Sequence, residues 1–397
     1  VTKRGLSSLQ DQPLEGLRAL VRVDFNVPIK DGRVSDATRI RASLPTIEWL
    51  GQRGCRVVLL SHLGRPGGQP VAKYSLRPVA GELERLLGKP VTFIDDPASP
   101  DAERQTRQLK RGEVALAENT RFYPGEEQND LDLAKAFARL GDLYVNDAFG
   151  SAHRAHASTE AVARLLKPAV AGDLMARELR YLGAALANPR RPFIAVLGGA
   201  KVSDKIEVIN ALLPKVDELL VGGAMACTFF LAQGRDVGTS LAERDKVHLA
   251  QSLLGRAGNK LVLPAGMIVA QTLEPEAPTR SVPSDRIPAG WAAYDIDETT
   301  QRDFAQRIAR AGTALWNGPM GVFETPPFDR GTLAVARALA EATTRGATTI
   351  VGGGDSAAAL AQARLDGAVT HVSTGGGASL EFLEGKTLPG VAALDDA

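Results

Sequence analysis

Short apolar runs alternate along the whole chain with longer amphipathic segments. The runs stand at Ala19–Val23, Val57–Ser61, Val91–Ile94, Val114–Ala117 and Leu143–Asn146, and again at Phe193–Leu197, Glu218–Val221, Lys260–Leu263, Thr313–Trp316, Thr348–Val351 and Thr370–Ser373. Between them, segments such as Ala42–Arg53, Pro78–Leu87 and Arg330–Ala342 carry apolar residues at helical spacing. Strands without polar alternation, separated by amphipathic helices, predict parallel sheets covered by helices on both faces. Pro168 and Gly172 interrupt the pattern, and Leu174–Leu186 then reads as one helix stopped by Asn188 and Pro189. The expected class is therefore α/β, with two Rossmann-like domains joined by a connector helix and hinge. The boundaries are expected at 1–170, a connector at 171–188, and a second domain at 189–380.

A length of 397 residues fits this count, at ~100–200 residues per domain. Lysine and arginine number 47 against 46 acidic residues, a net charge of +1, so a strongly basic nucleic-acid or membrane binder is excluded. Hydrophobic residues at 44% and charged residues at 23% match a folded globular chain rather than a disordered one. Cys55 and Cys227 lie far apart with no CxxC or CxxH pattern, which excludes a zinc ribbon. No apolar stretch reaches the ~18–20 residues of a membrane span. The first residues show no apolar signal core, so a cytoplasmic location is expected. Glycine is uneven: 14 of 40 lie in residues 1–168, and the others cluster after apolar runs.

In the first half, polar residues follow the strands. Asp24 and Asn26 come after the first, His62 and Arg65 after the second, Arg121 after the strand at 114–117, and Arg154 after the strand at 143–146. Arg39 opens the helical segment beyond the first loop. Ligands collect beyond the carboxyl ends of parallel strands, and guanidinium forks match carboxylates and phosphates. Asp24 and Asn26 alone read equally well as turn residues, and any one of the arginines alone reads more often as a solvated surface charge; gathered on one sheet edge, they suit a small anion.

In the second half, glycines follow the strands instead. Gly198–Lys205 leads into a predicted helix, which would put Lys201 and Lys205 on adjacent turns; Gly222 and Gly223 follow the next strand. Asn317–Glu324, Gly353–Ser356 and Ser373–Gly377 complete the set, with Asp355 placed to face Mg²⁺. Capping turns explain any one of these, but the four loops at 198–205, 317–324, 353–356 and 373–377 exceed what packing alone calls for. Walker and dinucleotide fingerprints are absent. A basic site on one domain and backbone amides on the other suggest phosphoryl transfer.

The segments RVDFNVP, SHLGRP, ENTRFYPGEE, NDAFGSAHRAHAST, GGAKVSDKI, GGAMA, WNGPMGVFE, GGGDS and STGGGASLEFLEGK make the chain resemble the phosphoglycerate kinase family over nearly its whole length. The resemblance implies reversible transfer between MgATP and the carboxylate of 3-phosphoglycerate, by domain closure in a monomer. It implies that Asp24, Asn26 and His62 hold the glycerate region, and that Arg65, Arg121 and Arg154 hold its phosphate. Arg39, Lys201 and the Gly375, Gly376 and Gly377 amides would serve the transferring group. Lys205, Gly222, Gly223, Asn317, Glu324, Gly353, Gly354, Asp355 and Ser356 would hold ATP or ADP, and Asp355 the Mg²⁺. It also implies that residues 381–397 return to the first domain. A catalytically silent nucleotide-binding protein is the alternative, opposed by the retained Arg39, Lys201, Lys205 and Asp355.

The chain departs from the family pattern in places. GWAAYDIDE, around Trp291, lacks two glycines and a proline that usually follow the tryptophan. Gly266 stands where the family commonly has aspartate, Asp173 where an apolar residue is usual, and Ser356 where threonine is.

Overall fold

The apolar runs of the first half form a six-stranded parallel sheet, in a computed structural model that describes residues 2–397. Strand β1 (Arg18–Arg22) precedes a small hairpin, β2 (Ile29–Lys30) and β3 (Arg33–Val34). Then come β4 (Arg56–Leu60), β5 (Val91–Ile94), β6 (Val114–Ala117), β7 (Leu143–Asn146) and β8 (Ala169–Ala171). The sheet order is β5-β6-β4-β1-β7-β8. Every residue of β1 is buried, arginines included. Arg18 is compensated by Asp142, 2.7 Å away. Helices Thr38–Gln52 and Arg77–Leu87 flank the sheet, and Ile47 and Leu83 join Val21, Leu59 and Leu116 in one core. Gly88 closes the second helix in the left-handed region, φ +64°.

The second half repeats the plan. Strands β9 (Phe193–Leu197), β10 (Glu218–Val221) and β11 (Leu261–Val262) are followed by β12 (Gly266–Ala270), β13 (Arg280–Pro283) and β14 (Ala292–Ile296), then by β15 (Thr313–Asn317), β16 (Thr348–Gly352) and β17 (His371–Val372). The parallel sheet runs β11-β10-β9-β15-β16-β17, and β13-β12-β14 form a separate antiparallel sheet. Apolar runs did not announce that small sheet, because β13 is largely exposed and β14 mixes alanine with acids. Nor did they announce β8, three small residues long.

By its contacts the chain separates into Val1–Arg180 with Thr387–Ala397, and Tyr181–Lys386. The division falls inside the helix Asp173–Ala187, so the segment expected as a separate connector is shared between the units. Residues 381–386, expected with the returning segment, belong to the second unit. From Thr387 the chain packs on the first unit, where Lys167 pairs with Asp395 at 2.6 Å and the Arg4 amide donates to the Asp395 carbonyl at 2.9 Å. Asp173 opens its helix with its amide on Thr46 Oγ1 at 2.8 Å and its carboxylate 3.0 Å from Arg177, a favourable placement for an acid.

Candidate active site

Strands β6, β4, β1 and β7 are neighbours and run in parallel, so the loops after them share one edge of the first unit. Arg39 Nη1 lies 3.2 Å from both carboxylate oxygens of Asp24 and donates to the Asn26 carbonyl at 3.3 Å. Asn26 Oδ1 accepts from the Gly64 amide at 2.9 Å, and the Gly64 carbonyl accepts from Arg121 Nη1 at 2.8 Å. Asp24, Asn26, Arg39, Gly64 and Arg121 are thus one bonded set. Arg154 is half-buried and donates to His153 Nε2 at 3.1 Å. Arg65 is exposed and has no acidic partner among the described residues. One edge therefore carries both tethered and untethered guanidinium groups.

His62 is buried at this edge. Burial, and then the charges of Arg22, Arg121, His156 and Arg39, hold its pKa well below the usual histidine value. His156 is pushed down to about 3, mainly by burial. In both rings the imidazolium form is disfavoured. Sequence reasoning assigned no role to Arg22, Ser158 or Glu126, which are fully buried behind His62. An arginine ending an otherwise apolar strand was the available signal.

In the second unit the loops after β10, β9, β15, β16 and β17 likewise share one edge. The helix after β9 begins only at Ile206, so Lys201 and Lys205 sit in the preceding loop and turn rather than on successive helical turns. Lys201 is exposed. Lys205 donates to Asn317 Oδ1, and burial lowers its pKa against the opposing pull of Asp204, Asp355 and Glu384. Asn317 Nδ2 is buried with no partner and lies beside Gly352 and Gly353. A buried donor left unsatisfied is costly, and an anionic oxygen at Gly353 would satisfy it.

The glycines divide into two kinds. A Cβ at Gly198 would strike the Pro319 carbonyl, at Gly222 the Met320 sulfur, and at Gly223 the backbone of Gly199. These glycines let three loops interlock, so Gly222 and Gly223, expected to line the nucleotide, are explained by packing. By contrast, a Cβ at Gly199, Gly354 or Gly376 would meet nothing. Gly353 and Gly376 have φ of +90° and +52° and precede helices Gly354–Gln362 and Gly377–Leu383. The Ser356 oxygen is buried and accepts from the Gly318 amide at 2.7 Å. The Gly375 amide is spent on Ser373 Oγ at 3.2 Å, which leaves the other two of that trio. Asp355 and Glu324 are exposed.

The family model described as phosphoglycerate kinase matches residues 9–386. The chain is 53% identical over 401 residues to phosphoglycerate kinase of Synechococcus elongatus, covering 100% of both chains. It is 56% identical over 396 residues to that of Chloroflexus aurantiacus, covering 98% of this chain and 99% of the relative. The solved phosphoglycerate kinase of Coxiella burnetii superposes with a TM-score of 0.89 at 42% identity, covering 98% of each chain. That of Pyrococcus horikoshii gives 0.84 at 32% identity, covering 97% of this chain and 98% of the other.

The chain belongs to the phosphoglycerate kinase family. It is a phosphotransferase that moves a phosphoryl group between ATP and the carboxylate of 3-phosphoglycerate.

Gly266 and Asp297 are adjacent in space. A side chain at Gly266 would begin against the carboxylate of Asp297. Asp297 Oδ1 caps the helix Glu298–Ala309 at the Thr300 amide, 2.9 Å, and Oδ2 accepts from Ser281 Oγ at 3.0 Å. Residues Ala292–Ile296 of GWAAYDIDE supply β14.

Proposed function

We propose that the first unit holds 3-phosphoglycerate on its arginine edge, and that the glycine loops of the second unit hold ATP with Mg²⁺. The observation that carries the first assignment is the contrast between Arg39, tied to Asp24, and Arg65, free of any acid. A ligand with a carboxylate at one end and a phosphate at the other can use a positioned cation and an available one. Asp24 and Asn26 face the hydroxyl and carboxyl region with His62, while Arg65, Arg121 and Arg154 take the phosphate. The domain limits follow the same division of labour.

The acceptor carboxylate is already ionised at neutral pH, so no side chain has to remove a proton. What the residues supply is position and charge. Arg39, Lys201 and the Gly376 and Gly377 amides offset charge on the transferring group in the closed state. Lys205, Asn317, Gly353, Gly354 and the Ser356 hydroxyl hold the nucleotide phosphates, and Glu324 accepts from the ribose. Mg²⁺ is ordinarily bound by one or two carboxylates together with phosphate oxygens and water. The exposed carboxylate of Asp355, two residues beyond Gly353 where the unsatisfied Asn317 amide lies, fits that mode. When bound, the ion neutralises phosphate charge.

A coupled assay with 3-phosphoglycerate and ATP tests this reading. Turnover should vanish with a chelator and return with Mg²⁺. Asp355→Asn should raise the Mg²⁺ requirement without changing the KM for 3-phosphoglycerate; an unchanged requirement sinks the metal assignment. Each ligand set lies within one unit of a single chain, as a monomer requires; the monomer and its placement in the cytoplasm are to be checked by sedimentation and cell fractionation.

A further inference from the structure

Behind the arginine edge of the first unit, four buried side chains form one directed hydrogen-bonded chain. Arg22 Nε donates to Ser158 Oγ at 2.8 Å and Nη1 donates to the Val23 carbonyl at 2.5 Å. Its Nη2 lies 3.1 Å from His62 Nδ1. Ser158, having accepted from Arg22, donates its hydroxyl to Glu126 Oε1 at 2.5 Å, and its amide donates to Oε2 at 3.0 Å. Arg22, Ser158 and Glu126 are all fully buried.

The direction of this chain is fixed by chemistry. A guanidinium has only donors, so His62 Nδ1 must accept, and its ring proton must sit on Nε2. We propose that Glu126, Ser158 and Arg22 form a positioning relay that locks His62 as the neutral Nε2–H tautomer, so that the ring offers the acceptor substrate a hydrogen-bond donor rather than a cation. Glu126 balances the buried guanidinium, which would otherwise be an uncompensated interior charge. Ser158 spaces the two so that the remaining Arg22 nitrogen can face His62. The charged and titratable groups facing His62 are Arg22, Arg121, Arg39 and His156; all of them oppose an imidazolium, as burial does.

The relay rests on reading this edge as the 3-phosphoglycerate site, and the two can be tested apart. Nitrogen NMR on the full-length protein labelled in histidine reports the tautomer without substrate. His62 should show an unprotonated Nδ1 and a protonated Nε2 at pH 7. An imidazolium at pH 7, or a proton on Nδ1, overturns the relay in the native protein, with no variant needed. Ser158→Ala removes the hydroxyl link with little change in volume. It should mix the two tautomers and raise the KM for 3-phosphoglycerate about 10-fold, with the KM for ATP unchanged. A folded Ser158→Ala with the native His62 spectrum overturns the relay. If 3-phosphoglycerate leaves the native Nε2 signal unmoved, the placement of His62 beside that substrate falls, and the relay is then only a structural lock.

Discussion

The Asp297 carboxylate occupies the space into which a side chain at Gly266 would grow. Gly266 and Asp297, far apart in sequence, therefore share one packing site. Gly266→Asp alone should destabilise the second unit by about 2 kcal/mol or more, since it overpacks the site and sets two carboxylates together. Gly266→Asp with Asp297→Gly should recover most of that loss. Calorimetry of the four-protein cycle measures the coupling, and simple additivity would refute the shared site.

Arg39 is held against Asp24 and Asn26 rather than buried in the core. Arg39→Ala should lower kcat by about 10²–10³-fold, the usual cost of losing one stabilising donor. Titration calorimetry should find ADP binding unchanged. A kcat near that of the native protein would remove Arg39 from the chemistry.

The two kinds of glycine make opposite predictions. Gly222→Ala pushes a methyl into Met320 and should cost about 1–3 kcal/mol in thermal or urea unfolding. Gly354→Ala enters open space at a helix start and should change stability by no more than about 0.5 kcal/mol. It should instead raise the KM for ATP. Equal stability effects would show that the sorting of glycines is wrong.

Asp295 is buried and accepts from the Gly331 and Ile296 amides, each at 2.8 Å. Burial pushes its pKa up to about 8, with Asp329 adding to the rise and the two amides and Arg330 opposing it. In the unfolded chain it titrates near ~3.9. The folded state therefore holds the extra proton between these values, so its contribution to stability is complete below about pH 4 and is lost as pH rises through about 8. Asp295→Asn should flatten that decline in the second unit's unfolding transition. A slope identical to the native one would mean that Asp295 is ionised in the folded protein.

The parallel sheets were legible because strands buried on both faces leave unbroken apolar runs, as in Phe193–Leu197. The antiparallel sheet was not, because an exposed strand such as β13 leaves no such run. Post-strand arginines could be read from their positions alone. The partners behind them could not: Arg22 and Ser158 are 136 positions apart, and no local pattern links them. The roles of Gly222 and Gly354 were confounded for a different reason. Close packing and ligand approach both require a missing side chain, so only the surroundings tell them apart.

The interlocked turns at Gly198, Gly223 and Gly318–Met320 also bear on how this unit can be re-engineered. Each turn is shaped by the backbone of another, so none is a replaceable module. Transplanting a single turn from a relative to alter nucleotide preference would leave its neighbours fitted to a surface no longer there; a workable graft has to carry all three.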